Sequence, residues 1–439
     1  MKKIEIDKKI FVGPVEIAGY ARNLAKGFRE LGYQCDNISF ERHTYEYSQD
    51  ENIPSLIKLS RFFRNLNKLL IKIPFLNFLC ILISEIFNSL WSILAIFKYD
   101  VFIFIYGKSL LRFNLDLPIL KFFGKTVISN LSFGSEARPP YIDGFTNLIE
   151  KSGKHDYLKI ARSSKIKSRM IRFHFRYCSY VIGGLSSTSQ FATQPFINSF
   201  IVGFPLAFEK NIDNPILERR APNALSILHA PTHLKGKGTS KIVNAIENLK
   251  KKGYSIELKL IQNMPNHEVI KAIKACDFVV DQTFSDTPMA GLVSEAALHE
   301  KPSIVGGYGL KYLKSYINQE FWPPVKECPP DNIEQAIEEF IINKDQRLKI
   351  GSLARKYAVE KRSSLVIAKY FIRIINNDIP NKWWFDPKDI NFTFGAGQTE
   401  DETKDIVKTL ISKYGDVSLN LEHNKILKKL FLEVAKDDN

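Results

Sequence analysis

Residues 229–241, HAPTHLKGKGTSK, carry three lysines and two glycines and no acid. They join an apolar run (Ala224, Leu225, Ile227, Leu228) to a helical pattern at Ser240–Leu249. Lys235 and Lys237 supply ammonium groups. Gly236 and Gly238 reduce steric bulk, so that backbone N–H groups can face a ligand, and the helix that starts beside Thr239 adds its positive end. The chemistry of such a joint is the holding of an anion, and a diphosphate suits it; ordinary turn lysines are the alternative. The Walker spacing GxxxxGK[ST] is absent from the joint, which removes support for ATP hydrolysis. A second stretch, DQTFSDTPMAGLVSEAALHEKPSIVGG (281–307), places Glu295 in a helix that follows a strand tip. A carboxylate at the same sheet end as the lysines would accept hydrogen bonds from the hydroxyls of a ribose or sugar. Its alternative is an acid that complements the helix dipole.

These side chains need a frame, and the apolar periodicity supplies one. Ile10–Gly13 reads as a strand, GPVEIAG as a glycine-bearing turn, and Ala21, Leu24, Ala25, Phe28 and Leu31 as one helix face that Gly32 stops. With a next strand near Gln34–Phe40, this is how a Rossmann-like half begins. Gly13 and Gly19 would let the backbone approach a ligand, or simply shape the turn. YDVFIFIYG (99–107) reads as a buried parallel strand, with further strands at Thr126–Leu131, Ser179–Gly183 and Phe200–Gly203. After an aperiodic, proline-bearing segment (202–215), strands at Leu225–Leu228, Ile256–Ile261, Phe278–Asp281 and Ser303–Val305 alternate with helices, a second doubly wound α/β domain. The expected division is 1–205, 206–365, and a crossover helix and tail at 366–439 whose role the residues do not declare.

The chain has 439 residues, enough for two or three domains, and 62 basic against 47 acidic side chains give it a net charge of +15. Nucleic acid, an anionic membrane and a phosphorylated ligand all suit that excess. Nucleic acid is disfavoured, because the basic residues line helix faces without aromatic platforms and no recognition motif appears. Five scattered cysteines without a CxxC pair speak against a metal or redox site and suit a reducing compartment. The N-terminal MKKIEIDKKIFVG lacks the apolar core of a secretion signal. Lys58, Arg61, Arg64, Lys68 and Lys72 step along one helix face. Phe75–Phe97 follows with Glu85 as its sole charge, long enough to span a bilayer. A span would separate strands that need one sheet, and Asn77, Ser84, Glu85, Asn88 and Ser92 form a polar stripe. A helix pair packed on the sheet and a patch dipping into the membrane interface remain, and the basic residues favour the latter. Residues 151–176 add nine lysines and arginines against one acid, Asp156.

ILHAPTHLKGKGTSKIVNAIENL, ACDFVVDQ, GLVSEAALHEKPSIV and PPVKECPPDNIEQAIEEFI, in this order and spacing, resemble the donor-binding domain of GT-B glycosyltransferases, especially the retaining family 4 type. GPVEIAGYARNLAKGFRELGY, YDVFIFIYGKSLLRFNLDLPILKFFGK and the FGSEAR loop resemble its acceptor domain. The resemblance covers roughly residues 8–375. It implies two Rossmann-like domains facing a central cleft, and retaining sugar transfer from a nucleotide-diphosphate sugar with no metal and no cofactor. Lys237 matches the lysine of the family's Lys-Gly pair, with Lys235 as substitute for an earlier basic residue. Glu295 matches the second glutamate of its Glu, seven residues, Glu pattern. Thr287 stands where the first glutamate belongs, with Asp286 adjacent. Phe133-Gly134 replaces a His-Gly pair, Glu136 stands for an aspartate, and Arg138 keeps its place.

The resulting expectation assigns catalysis to Glu295, Lys237 and Glu136, and donor binding to Gly13, Gly19, His229, Lys235, Lys237, Gly238, Asp281, Gln282 and Glu295. Gly134 and Arg138 fall on the acceptor side. The expected enzyme builds a lipid-linked glycan or surface polysaccharide at the cytoplasmic face of the plasma membrane, its basic faces on anionic lipid. The alternative is an inactive relative that binds a nucleotide sugar or glycan and supports a partner enzyme, as the losses at Thr287 and Phe133 suggest.

Overall fold

A computed structural model describes residues 8–41, 53–146, 148–149, 155–208 and 224–436. Lys151 and Lys154 of the basic run, and 209–215 of the expected linker, lie outside the described residues. The first lobe runs β1 (Ile10–Gly13), α1 (Tyr20–Glu30), β2 (Cys35–Asn37), α2 (Ser55–Leu69), α3 (Pro74–Lys98), β3 (Val101–Ile105), α4 (Asp116–Phe122), β4 (Thr126–Leu131), α5 (Tyr157–Tyr177), β5 (Tyr180–Gly183), β6 (Phe196–Asn198) and α6 (Ser199–Val202). The second runs β7 (Leu225–His229), α7 (Leu234–Lys237), α8 (Thr239–Lys251), β8 (Ile256–Leu260), α9 (Asn266–Ala275), β9 (Phe278–Gln282), α10 (Gly291–Leu298), β10 (Ser303–Gly306), α11 (Leu310–Tyr316), β11 (Lys326–Cys328), α12 (Ile333–Ile342) and α13 (Lys344–Arg362). The chain then returns through α14 (Ser364–Ile375), β12 (Trp384–Phe385), α15 (Glu400–Tyr414) and α16 (Lys425–Val434).

Each lobe is a doubly wound sheet, as a GT-B architecture requires. The strand orders are β12-β6-β5-β4-β3-β1-β2 and β11-β10-β9-β7-β8, parallel throughout except where β12 joins the edge. The sequence reading of Phe200–Gly203 as a strand is corrected: the strand is β6, and residues from Ser199 form the short α6. Central strands such as VFIFI in β3 are buried on both faces, because helices cover both. In the first lobe Leu24 and Phe28 of α1 and Phe371 of α14 fill one side, while Trp91 and Ala95 of α3 and Leu117 and Leu120 of α4 fill the other.

The helical hairpin α2–α3 has the opposite polarity from a core helix. Ser84, Asn88 and Ser92 of α3 are buried, whereas Phe75, Phe78, Ile86, Leu94 and Phe97 are exposed, Phe75 by 73% and Phe97 by 68%. The polar stripe faces inward: Ser84 bonds Ser60 of α2 at 2.8 Å, and Glu85 pairs with Arg64 at 2.7 Å. The expected row of membrane-facing cations is therefore corrected. Arg61 is buried and donates to the Ser39 carbonyl, and Arg64 is held by Glu41 and Glu85. Only Lys58, Lys68 and Lys72 of the five remain exposed. At 25 residues α3 is about 37 Å long, twice the roughly 17 Å of the five-residue β3. Its C-terminal part from Trp91 packs on the sheet core, so the hairpin overhangs the strands' C-terminal edge.

The tail belongs to the first lobe. α14 lies on α1, where a Cβ at Gly27 would overlap the Ser364 carbonyl. β12 pairs antiparallel with β6 through Trp384↔Ile197. Ile406, Val407 and Leu410 of α15 and Leu427 and Phe431 of α16 are fully buried in the first lobe's core. Phe431 meets Tyr141 edge-on at 5.4 Å. Phe431→Ala is expected to cost about 3–5 kcal/mol in urea unfolding. A loss below about 1 kcal/mol would mean that the tail is only peripheral.

Candidate functional site

The two lobes meet at a crevice of about 230 Å³. From the first lobe it takes the β1–α1 loop (Ile17, Ala18), the loop after β4 (Phe133, Gly134, Arg138) and the Ser186–Thr188 turn; from the second, residues 286–291 and Ser294 of α10, and Arg362. Arg138 ties them together. Its Nη1 reaches Asp143 Oδ1 at 2.9 Å, its Nη2 reaches Asp286 Oδ2 at 2.8 Å across the crevice, and its Nε donates to Ser187 Oγ at 2.7 Å. Burial pushes the Asp286 carboxyl upward, but Arg138 and the Ser187 hydroxyl outweigh it and hold the group below the usual range. Arg138 thus serves as an inter-lobe clasp between two carboxylates, and its charge is already matched, which corrects its expected acceptor role.

Arg362 is the cation that sequence reasoning missed. It closes α13 and donates from Nη2 to the Phe200 carbonyl at 2.8 Å and to the Tyr357 hydroxyl. Its Nη1 is buried with no partner among the described residues. Room for it exists because residue 203 is glycine at φ 72°, where a Cβ would overlap Nη1. On the same crevice wall α10 presents its N-terminus, free of acid in its first turn. A Cβ built on Gly291 would lie 3.9 Å from the Ala18 Cβ, so the β1–α1 loop stands directly opposite. Gly19, at φ 81°, makes the left-handed turn from that loop into α1, and Gly13 has no room for a side chain beside the Ile38 carbonyl.

The lysine joint folds differently from the expectation. Gly238 at φ 66° breaks α7 from α8, and a Cβ there would overlap Thr283 Oγ1. Lys237 forms a largely buried ion pair with Asp281 at 3.2 Å. Lys235 turns away to Glu402 of α15 at 2.8 Å, so it braces the tail rather than joining Lys237 as an anion ligand. Phe145 of the first lobe packs over Gly236. His229 is also corrected from the donor set: it is fully buried, donates from Nδ1 to the Val280 carbonyl at 2.8 Å and accepts at Nε2 from Thr239 at 2.9 Å. Burial pushes its pKa down to about 4, which keeps it neutral as a brace for the start of α8. Gln282 bonds Ser285 within its own loop, and Ser285 Oγ donates to the Thr287 carbonyl at 2.6 Å. Glu295 is half-buried on α10 and accepts from Asn266 Nδ2, at the start of α9, at 2.7 Å. Arg362 lines the crevice, whereas Lys237 and Glu295 are outside its lining and are held by Asp281 and Asn266.

Glu136 is buried behind the crevice wall. Its Oε1 accepts from the Phe133 N–H at 2.7 Å, and its Oε2 has no partner among the described residues. Gly134, at φ 139°, makes the turn that folds this carboxyl onto its own loop, so Glu136 shapes the loop, a correction of its expected catalytic place. Lys167 of α5 fixes the same loop through the Ser135 and Arg138 carbonyls, both at 2.6 Å. Burial raises the Glu136 pKa from 4.5 to about 7. A carboxyl raised on folding contributes stability below pH 4.5 that is lost as pH rises through 7. Glu136→Gln is expected to match the parent's stability at pH 4.5 and exceed it by about 3 kcal/mol at pH 7.5. Parallel pH–stability curves in urea titrations would show that this carboxyl does not titrate there.

No protein-family model matches the chain, and no curated protein matches it. Among solved structures it is similar to HepE of Anabaena in complex with UDP and glucose, at 12% identity over 84% of this chain and 100% of that one, with a TM-score of 0.44. Sucrose-phosphate synthase of Thermosynechococcus elongatus aligns at 13% identity over 84% and 98%, TM-score 0.43. The glycosyltransferase SnogD of Streptomyces nogalater aligns at 9% over 83% and 98%, TM-score 0.40. Likenesses this distant carry no argument about the reaction, which rests on the geometry above.

Proposed function

We propose that the chain is a glycosyltransferase that moves a sugar from a nucleotide-diphosphate sugar to a glycan or lipid-linked acceptor, with retention and without a metal. The observation that carries the reading is the crevice wall formed by the α10 N-terminus and Arg362. Arg362 and the first turn of α10 both line the space between the lobes, and the Arg362 Nη1 is buried without a partner among the described residues. A diphosphate there gains a charge-assisted hydrogen bond from Arg362 and the favourable end of the helix dipole. As the bond from the anomeric carbon to the diphosphate oxygen breaks, negative charge grows on that oxygen. Donors already in place stabilise it without reorganisation. The leaving diphosphate takes the acceptor's hydroxyl proton as the acceptor oxygen bonds the anomeric carbon from the same face. Such a step asks for no histidine at Phe133 and no glutamate at Thr287. Glu295, steadied by Asn266, accepts from the ribose hydroxyls of the donor.

The reading extends to a cytoplasmic membrane face. An outward row of phenylalanines, leucines and isoleucines on α3, over an inward polar stripe, is how a helix lies in a lipid interface. Exposed cations on α2 and α5 favour anionic lipid.

A thermal-shift panel of UDP-, GDP- and other nucleotide sugars tests the donor site. A shift of several degrees is expected with one nucleotide class, abolished in Arg362→Ala and reduced in Glu295→Ala. A shift lost only in Lys237→Ala would move the anion site to the 229–241 loop. Binding without sugar release or transfer would favour the non-catalytic subunit. For the membrane, the parent protein is expected to co-sediment with phosphatidylglycerol vesicles and a Phe78→Asp/Ile86→Asp variant to stay in solution. A parent that remains in the supernatant would sink the interfacial reading.

A further inference from the structure

Beside the crevice, the first lobe holds a chamber of about 810 Å³, far larger than the crevice itself. Its roof is the overhanging α2–α3 hairpin, its floor the loops that follow β1 and β3, and its side wall α5. Ile17 lines both the chamber and the crevice, so the β1–α1 loop stands between them.

The chamber's chemistry is graded from mouth to depth. Phe113 and Ile166, 81% and 68% exposed, stand at the mouth. The exposed cations Lys108, Arg112 and Arg169 stand with them. The acids Glu41 and Glu85 are occupied by Arg64, and the Glu16 carboxylate accepts from the Ala21 and Arg22 amides. Lys108, Arg112 and Arg169 form no ion pair among the described residues. Deeper in, Asn88 on the inward stripe of α3 is 4% exposed, and its Oδ1 has no partner among the described residues. A buried amide oxygen without a donor costs about 1–3 kcal/mol unless a ligand supplies one. The other face of α3, turned away from the chamber, is apolar and exposed.

We propose that this chamber receives the head of a lipid phosphate: a hydroxylated head enters and donates to Asn88, the phosphate meets Lys108, Arg112 and Arg169, and the chain stays against the apolar face of α3. The order of these parts follows from the cavity. A hydroxyl that enters head first meets the Asn88 oxygen, whereas a chain that entered first would bury that unpaired oxygen against hydrocarbon. The use of that hydroxyl as a sugar acceptor rests on the transfer reading; the binding does not.

The test measures binding by calorimetry with no nucleotide sugar present, using three soluble amphiphiles below their micellar concentrations. Dihexanoyl phosphatidylglycerol carries phosphate and hydroxylated head, dodecyl phosphate lacks the head, and dodecyl maltoside lacks the phosphate. The first is expected to bind at least tenfold more tightly than either of the others. Lys108→Ala/Arg169→Ala should weaken it about tenfold, and Asn88→Leu should remove its advantage over dodecyl phosphate. Ile166→Trp, a substitution at an exposed position, should obstruct the mouth and abolish binding while the protein still co-sediments with vesicles. Equal affinities for the three amphiphiles, or binding indifferent to Ile166→Trp, would overturn the proposal. Lipid binding without any nucleotide-sugar shift would leave the chamber standing and remove the transfer reading alone.

Discussion

The relation between the lobes rests on one buried guanidinium. Arg138 is enclosed by Asp143 from its own lobe and Asp286 from the other, with Ser187 completing its donors. Taking three charges out of water is expensive, and mutual attraction offsets that cost only when the geometry is good and the remaining donors and acceptors are filled. Here the attraction fixes where the 286–291 segment stands relative to the first lobe, and hence where α10 points its first turn. The carboxylates neutralise Arg138, whereas Arg362 lines the same crevice with Nη1 unpaired among the described residues. The two arginines are each held by contacts to the opposite lobe.

A comparable division exists on the outer side of the first lobe. The inward stripe of α3 supplies polar contacts to α2 and leaves the Asn88 amide oxygen without a partner among the described residues, while the outward surface is apolar along most of the helix. In a helix packed wholly within a soluble core these two faces would be exchanged. The hairpin joins two environments: an exposed apolar surface outside and a lined chamber within, next to the place where the lobes meet.

The sheets and most helices were legible because apolar periodicity and glycine turns are local signals; Leu24, Ala25 and Phe28 needed nothing beyond their own spacing. The polar stripe of α3 was equally legible, but spacing defines a stripe without saying which side it faces. The site was less legible for a related reason. Lys235 and Lys237 have the composition of an anion loop, yet their partners are Glu402 in the tail and Asp281 at a strand end, and sequence distance hides both. Arg362 sits in a short basic run at a helix end, and only the backbone conformation of Gly203, far away in the chain, shows that space is reserved for its guanidinium. His229 stood in the right loop but is consumed by burial and by its two hydrogen bonds.

The return of α14, β12, α15 and α16 to the first lobe has a bearing on biosynthesis. The second lobe is one uninterrupted stretch of chain, whereas the first is assembled from both ends of the polypeptide. On the ribosome the lobe made last is therefore complete first. The earlier one waits, with the surfaces around Tyr141 and α5 uncovered, until α15 and Phe431 have been translated. Closing that lobe joins residues far apart in the chain, a slow kind of contact, and in the interval its apolar surface stays open to non-native association.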